Sequence, residues 1–135
     1  DVVFGMGACT DSAFAHQYDL PGTFAPIASF DLLRKAVDAA EQMGGVHWMA
    51  GNLLSSDIFY GESSLDLNWR KMGVLAVEME AAALYMNAAR LGKNALAICT
   101  ISDSLITGEK TTSEERERSF TDMMQIALDT AAACG

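Results

Sequence analysis

An apolar segment that runs almost directly into an alanine-rich segment is the feature that most constrains how this chain can fold. Residues 74–77 (VLAV) have the composition of a buried β-strand, and residues 81–91 have that of a helix that ends at Gly92. Glu78 and Glu80 stand between the two segments. A strand that passes into a helix with so short a connection is typical of an α/β fold, in which strands and helices alternate.

The two glutamates predict a ligand site. Carboxylates are costly to bury, and residues two apart on an extended backbone point to the same side. Glu78 and Glu80 would then project together from the carboxyl end of a strand, where open α/β sheets place their ligands. Such carboxylates accept hydrogen bonds from the vicinal hydroxyls of a sugar. The alternative is that both residues only favour the first turn of a helix, where the helix dipole stabilises acidic groups.

The same alternation continues along the chain. Strands are predicted at residues 2–9, 46–54 and 94–102, and helices at residues 29–43, near 65–72 and from Thr112 onward. Residues 10–27 are predicted to form a long connecting loop. The continuous apolar run at residues 95–101 favours a strand buried on both faces. In the last helix, an apolar stripe is predicted from five residues: Phe120, Met123, Met124, Ala127 and Ala131. The fold class is therefore α/β, with a largely parallel sheet covered by helices.

Composition narrows the classes of function. At 135 residues the chain fits a single domain spanning residues 1–135, and its net charge of −9 argues against nucleic acid as a partner. No apolar run is long enough to span a membrane. Cys9, Cys99 and Cys134 are far apart and form no CxxC pair, so we expect no metal site. Unpaired cysteines of this kind favour the reducing cytoplasm.

A second acidic position follows the apolar run at residues 95–101. Asp103 stands where that strand is predicted to end, and Arg116 falls in the first turn of the last helix. A cation is electrostatically misplaced at a helix N-terminus, so Arg116 is predicted to pair with Asp103 across a loop that folds back. The alternative is a surface arginine that is balanced by Glu115 and Glu117.

An aromatic pair, Phe59-Tyr60, follows the second predicted strand within a serine-rich loop. Such a pair can stack on a planar ligand, and ordinary packing is the alternative interpretation.

Taken together, these segments resemble the bacterial hexameric purine nucleoside phosphorylases. The resemblance rests on GMGACTDS at residues 5–12, GNL at 51–53, VEMEAA at 77–82, ICTISD at 98–103, and EKTT with the later ER at 109–116. The VEMEAA segment alone is shared with related nucleosidases, whereas its combination with SD and the downstream ER is more specific. The resemblance implies a mixed, largely parallel sheet flanked by helices.

The resemblance also implies a reaction and a set of roles. A purine nucleoside and inorganic phosphate, with no other cofactor, would give a free base and ribose 1-phosphate. By this resemblance Glu80 binds the ribose hydroxyls, Met79 packs against the sugar and Glu78 lines the same pocket. Phe59 would stack on the purine, with Val77 alongside the base.

On the base, the resemblance assigns the chemistry to Asp103 and Arg116, with Ser102 beside them. A carboxylic acid at Asp103 would protonate purine N7 and so make the base a better leaving group. Burial favours the protonated acid, whereas a nearby cation opposes it, and both conditions are met if Arg116 approaches as the proton leaves.

Two departures limit the resemblance. The family's amino-terminal half, which carries its phosphate loop, is not matched, so we expect this chain to correspond to the carboxyl-terminal part. Residues 104–108 lack the histidines and the arginine often found there. Assembly into a homo-hexamer is expected only for the full-length form. Two alternatives stay open: a hydrolytic nucleosidase of the same fold, and a non-catalytic nucleoside-binding or structural fragment.

Overall fold

Strands and helices alternate along the chain, as the sequence predicts. The computed structural model describes residues 1–58 and 64–135, and for residues 64–67, 118 and 119 it describes the backbone only. Phe59 and Tyr60 therefore lie outside the described residues. The regular elements are β1 (Val2–Thr10), α1 (Phe30–Met43), β2 (Trp48–Ser55), α2 (Ser64–Lys71), β3 (Ala76–Glu78), α3 (Ala81–Leu91), β4 (Ile98–Thr100) and α4 (Ser113–Ala132).

The described strands form one sheet in the order β3-β2-β1-β4. The pairs β1–β2 and β2–β3 are parallel, whereas β4 pairs with β1 in the antiparallel direction. Parallel neighbours require a crossover connection, which α1 provides between β1 and β2, and α2 provides between β2 and β3. The predicted fold class, a mixed and largely parallel sheet flanked by helices, is confirmed.

The fourth strand differs from its prediction in length and position. Its regular part covers only Ile98–Thr100 and lies at the edge of the described sheet, with Val2 opposite Thr100 and Phe4 opposite Ile98. The predicted burial on both faces is met only in part: Ala95 is buried and residues 96–101 are half-buried. Alternate side chains of this run nevertheless join different core clusters. Leu96 and Ile98 pack with α1 and α4, whereas Ala97, Cys99 and Ile101 pack with α3.

The core lies on both faces of the sheet because side chains alternate along β1. Val2 and Phe4 point into a cluster with Ala36 of α1 and Ile126 of α4. Val3 points to the opposite face, into a cluster with Tyr85 of α3. The central strand therefore holds the two helical layers together.

A β-bulge interrupts β1 halfway along its length and changes the direction of the strand. The register with β2 shifts between Gly5 and Gly7, and Met6 is the extra residue. A side chain at Gly5 would come within 2.7 Å of Leu53, so the close approach there requires glycine. Beyond the bulge, the long connection at residues 10–27 returns to β1 through a bridge between Ile27 and Gly7. That connection also contains a 3-10 helix at Phe14–Tyr18, which the sequence does not predict.

The last helix begins where the sequence predicts. Thr112 is its N-cap and forms the expected capping box with Glu115. The predicted apolar stripe is largely wrong, because only Met123 of its five residues packs against the core and the other four are exposed, while Ile126 is fully buried. None of the helices in the described ranges, this 20-residue helix included, is long and apolar enough to cross a membrane.

One hydroxyl joins three parts of the core. Tyr85 in α3 is 1% exposed. Its hydroxyl donates to the carbonyl oxygen of Gly5 at 2.5 Å and accepts from the amide of Ala97 at 3.0 Å. The helix is thereby bound to the bulge of β1 and to the segment that enters β4.

Replacing Tyr85 with phenylalanine should destabilise the fold. Tyr85→Phe leaves two backbone groups without their partner, and we expect a loss of about 1–3 kcal/mol in the free energy of unfolding. Urea denaturation followed by circular dichroism measures this loss. Tyr18→Phe is the matched control, since its hydroxyl bonds to Asn87 at an exposed position. Equal losses in the two variants would contradict the role assigned to Tyr85.

Candidate functional site

Three strand ends lie side by side at one edge of the sheet. Thr10 of β1 is in register with Ser55 of β2, and Ser55 is in register with Glu78 of β3. The hydroxyl of Thr10 donates to the carbonyl oxygen of Ser55 at 2.7 Å. Parallel strands thus bring residues from distant parts of the chain to one row, directly before the start of α3.

Glu78 binds the beginning of α3. One carboxylate oxygen accepts from the amides of Glu80 and Ala81, both at 2.7 Å. The other oxygen accepts the hydroxyl of Ser55. The first amides of a helix have no partner inside the helix, and its dipole favours a negative charge there. The carboxylate of Glu78 is therefore turned towards the backbone of α3.

Glu80 occupies a different environment. It is the N-cap residue of α3, where the backbone has left the extended conformation, and its side chain makes no capping hydrogen bond. Its carboxylate accepts only a long bond, 3.3 Å, from the amide of Met79 among the hydrogen bonds of the described residues. The two glutamates therefore do not project side by side as predicted. Glu78 faces the helix, whereas Glu80 is exposed.

The neighbouring apolar side chains are also open to solvent. Val77 is 39% exposed and Met79 is 40% exposed. Together with Glu80 they form an accessible surface that combines apolar contact area with a carboxylate. A surface of this composition suits a ligand with one apolar face and several hydroxyl groups.

The second predicted pair is brought together by a returning loop. The backbone at Ser102–Asp103 pairs with Lys110–Thr111 in antiparallel fashion, so the chain folds back on itself. Arg116 then lies with its Nη2 atom 3.5 Å from Oδ1 of Asp103, and both side chains are about two-fifths exposed.

Polar side chains around this pair orient both partners. The hydroxyl of Ser102 donates to Oδ2 of Asp103 at 2.9 Å. The hydroxyl of Thr111 accepts from Nε of Arg116 at 3.1 Å and donates to the carbonyl oxygen of Ser102 at 2.6 Å. Thr111 is thus a residue that connects the acid segment to the arginine.

The antiparallel direction of β4 places the Asp103–Arg116 pair and the two glutamates at opposite ends of β1. Asp103 leaves the sheet beyond the Val2 end of β1, whereas Glu78 lies level with Thr10 at the other end. Across the described residues, no hydrogen bond or ion pair joins Asp103 or Arg116 to either glutamate. The Asp103–Arg116 pair and the two glutamates therefore do not lie at the same end of the sheet.

The charges of the two glutamates nevertheless affect the pKa of Cys99 in β4. Burial, together with the negative charges of Glu78 and Glu80, raises the pKa of the Cys99 thiol to about 11. Charge effects of this kind weaken with distance, so the start of α3 lies on the side of the sheet that Cys99 faces. Cys99 packs with the same core cluster as Tyr85 of α3.

Sequence reasoning missed three residues of this region. Ser55 and Thr111 join segments as described above, and Asp11 accepts from the hydroxyl of Ser56 at 2.7 Å and the amide of Asp57 at 2.9 Å. Asp11 thus holds the segment that leads towards Phe59. The only sequence signal for Ser55 is a hydroxyl at the end of an apolar strand, and such a signal names no partner.

An open apolar cavity lies elsewhere in the fold. Its volume is about 330 Å³, and Leu84, Leu96 and Ala127 are among the residues that line it. None of the predicted site residues that the structure describes contributes to its lining. The candidate site is instead an exposed surface at the strand ends and along the returning loop.

Comparisons with known proteins agree with the fold and the motifs. A family model described as the phosphorylase superfamily matches residues 1–134. The chain is 50% identical over 132 residues to the DeoD-type purine nucleoside phosphorylase of Clostridium novyi, covering 97% of this chain and 56% of the relative. It is 52% identical over 134 residues to that of Bacillus cereus, with 97% and 56% covered. The chain therefore spans about half the length of these curated relatives.

A solved structure has the same fold. The crystal structure of purine nucleoside phosphorylase from Toxoplasma gondii in complex with immucillin-H matches with a TM-score of 0.86 and 20% identity. The match covers 99% of this chain and 56% of that one. At this identity the similarity is evidence for the fold alone.

The thiol of Cys99 provides a test of the geometry. Glu80→Gln removes one of the negative charges that raise the pKa of Cys99, so a larger fraction of the thiol is ionised at pH 9 and alkylation by iodoacetamide should be faster. In the unsubstituted chain, the Cys99 rate should keep rising up to about pH 11.

Peptide-resolved mass spectrometry measures each cysteine separately, with the exposed Cys134 as the internal standard. Glu41→Gln, on an exposed position of α1, is the matched control and should leave the Cys99 rate unchanged. Identical Cys99 rates in the Glu80 and Glu41 variants would contradict the placement of Glu80 near β4.

Proposed function

This chain belongs to the phosphorylase superfamily, and from that membership we propose that it supplies the base and ribose side of a purine nucleoside phosphorylase site. Curated relatives about 50% identical to it carry that name. The proposed reaction is the phosphorolysis of a purine (deoxy)ribonucleoside to the free base and (deoxy)ribose 1-phosphate, a step of purine salvage.

The observation that carries the proposal is the Asp103–Arg116 pair. Their closest atoms are 3.5 Å apart, longer than the 2.7–2.9 Å typical of a tight charged hydrogen bond. The arginine therefore lies beside the acid without a tight charged hydrogen bond to it. Both side chains are accessible, so a purine can reach them.

The proposed chemistry follows from these positions. Asp103 donates its proton to N7 of the purine while the bond between the sugar C1′ and N9 breaks, and the bonding electrons pass into the base. Phosphate attacks C1′ and forms the new C–O bond. Arg116 stabilises the carboxylate that Asp103 becomes, an interaction that is strongest late in the reaction.

The exposed surface at the start of α3 fits the sugar. Glu80 is proposed to accept hydrogen bonds from the ribose hydroxyls, with Met79 packed against the sugar ring and Val77 beside the base. Support comes from the exposure of all three residues. Glu78 lies behind them, and Phe59 is proposed to stack on the purine.

Further features of the whole protein belong to the proposal. Inorganic phosphate is the co-substrate, and no other cofactor is needed. Because the curated relatives are nearly twice as long, we place the phosphate site in the portion beyond this chain. We propose that residues 1–135 form one domain and that the full-length form is a cytoplasmic homo-hexamer, a location that the free Cys9, Cys99 and Cys134 support.

Substitution of the proposed acid tests the function. The assay uses the 135-residue chain, and a chimera in which it replaces the matching half of a DeoD-type relative, with nucleoside and phosphate. Asp103→Asn should lower the rate of base release by roughly 10²–10⁴-fold, because a positioned acid contributes about that much. Asp38→Asn, an exposed carboxylate on α1, should leave the rate unchanged.

Chromatography of the free base, with and without phosphate, distinguishes the other functions. Release that does not depend on phosphate would assign a hydrolytic nucleosidase. Full activity of the Asp103→Asn chimera would overturn the proton-donor role. A chimera that binds nucleoside but never turns it over would point to a binding or structural role.

A further inference from the structure

We infer that Ser55 is a positioning residue: acting through Glu78, it fixes the turn that presents Glu80 to the ribose. The inference rests on the proposed function, since it explains how the sugar side of that site is held in place. Ser55 itself has no proposed contact with the nucleoside.

The hydroxyl of Ser55 makes two bonds in a buried place. Ser55 is 4% exposed, and its hydroxyl donates to Glu78 and accepts from the amide of Ala82 at 2.8 Å. A hydroxyl has one donor and can accept as well, so both capacities are used here. One side chain at the end of β2 thus reaches both the end of β3 and the first turn of α3.

Glu78 transmits this constraint to Glu80. With one oxygen held by Ser55, the other oxygen faces the amides of Glu80 and Ala81 at 2.7 Å. These bonds, made by a residue of β3, fix the two backbone amides on either side of the Glu80 Cα atom. The direction in which the Glu80 side chain leaves the turn is set by that backbone.

In this arrangement the Glu80 side chain does not have to cap the helix, although Glu80 occupies the N-cap position. An N-cap side chain commonly accepts from the amides of the first turn, and this would engage the Glu80 carboxylate. Here Glu78 and Ser55 take those amides from outside the helix, and Glu80 makes no capping bond. Its carboxylate stays exposed at the start of α3, where a hydroxyl-bearing ligand can reach it.

Loss of the Ser55 hydroxyl should therefore weaken the binding of the ribose by Glu80 and leave the contacts with the base unchanged. In Ser55→Ala the Glu78 carboxylate is held on one side only, and the turn can shift. Because small displacements of a positioning group carry large costs, we expect affinity for adenosine and inosine to fall roughly ten- to hundredfold. Affinity for adenine and hypoxanthine should change by less than about twofold, because the free bases have no ribose for Glu80 to hold.

Isothermal titration calorimetry of the 135-residue chain with these four ligands makes the comparison. Thr130→Val is the matched control: it also removes a buried hydroxyl, from α4, and should alter neither affinity. Glu78→Gln is a second variant that keeps the side-chain size. A single amide oxygen cannot accept from Ser55 and from both backbone amides, so we expect the same ribose-selective loss.

Amide hydrogen exchange gives a readout that needs no ligand. The amides of Glu80, Ala81 and Ala82 should exchange faster in Ser55→Ala, and they should be unchanged in Thr130→Val. Equal losses for nucleosides and bases, or no loss and no change in exchange, would overturn the inference and leave the proposed function standing. If neither the unsubstituted chain nor its chimera with a DeoD-type relative binds a nucleoside, the proposed function is overturned, and the inference with it.

Discussion

The hydroxyl of Tyr85 determines how the sheet and α3 are arranged, and the candidate site depends on that arrangement. It binds the carbonyl oxygen of Gly5, at the bulge of β1, and the amide of Ala97, just before β4. The bulge and the helix are therefore locked together, with the start of α3 on the face of the sheet that Cys99 occupies.

Within that arrangement, neighbouring acidic residues have different roles. Glu78 is satisfied by two backbone amides and a buried hydroxyl, so its charge serves the helix terminus. Glu80 lacks such partners and stays accessible. Asp103 has the hydroxyl of Ser102 and the guanidinium of Arg116 beside it and is still partly exposed. The environment of each carboxylate, more than its residue type, determines whether it stabilises the fold or remains available to a ligand.

The sequence predicts those features that depend on local signals. The bounds of α3 follow from its composition and from Gly92, which takes the left-handed conformation at the helix end. Pairing of Asp103 with Arg116 follows from a cation placed against a helix dipole and a loop short enough to return. The direction of β4 is not predictable in this way, because it depends on which strand it meets. Ser55 pairs with a residue 23 positions away, and no local pattern marks such a contact.

The charges of the site explain why phosphate should be held from outside this chain. Under the proposed function, positive charge develops on the sugar as the glycosidic bond breaks, and the nearby Glu80 and Glu78 would stabilise it. The same carboxylates repel the phosphate that must attack that carbon. Arg116 is engaged with Asp103 and Thr111, which the proposed function places at the base. With a net charge of −9 over 135 residues, this half of the site suits the sugar cation and the leaving purine. Under the proposed function, the attacking anion must then be bound by cationic or backbone groups on the opposite side of the ribose, in the part of the relatives' length that this chain does not span.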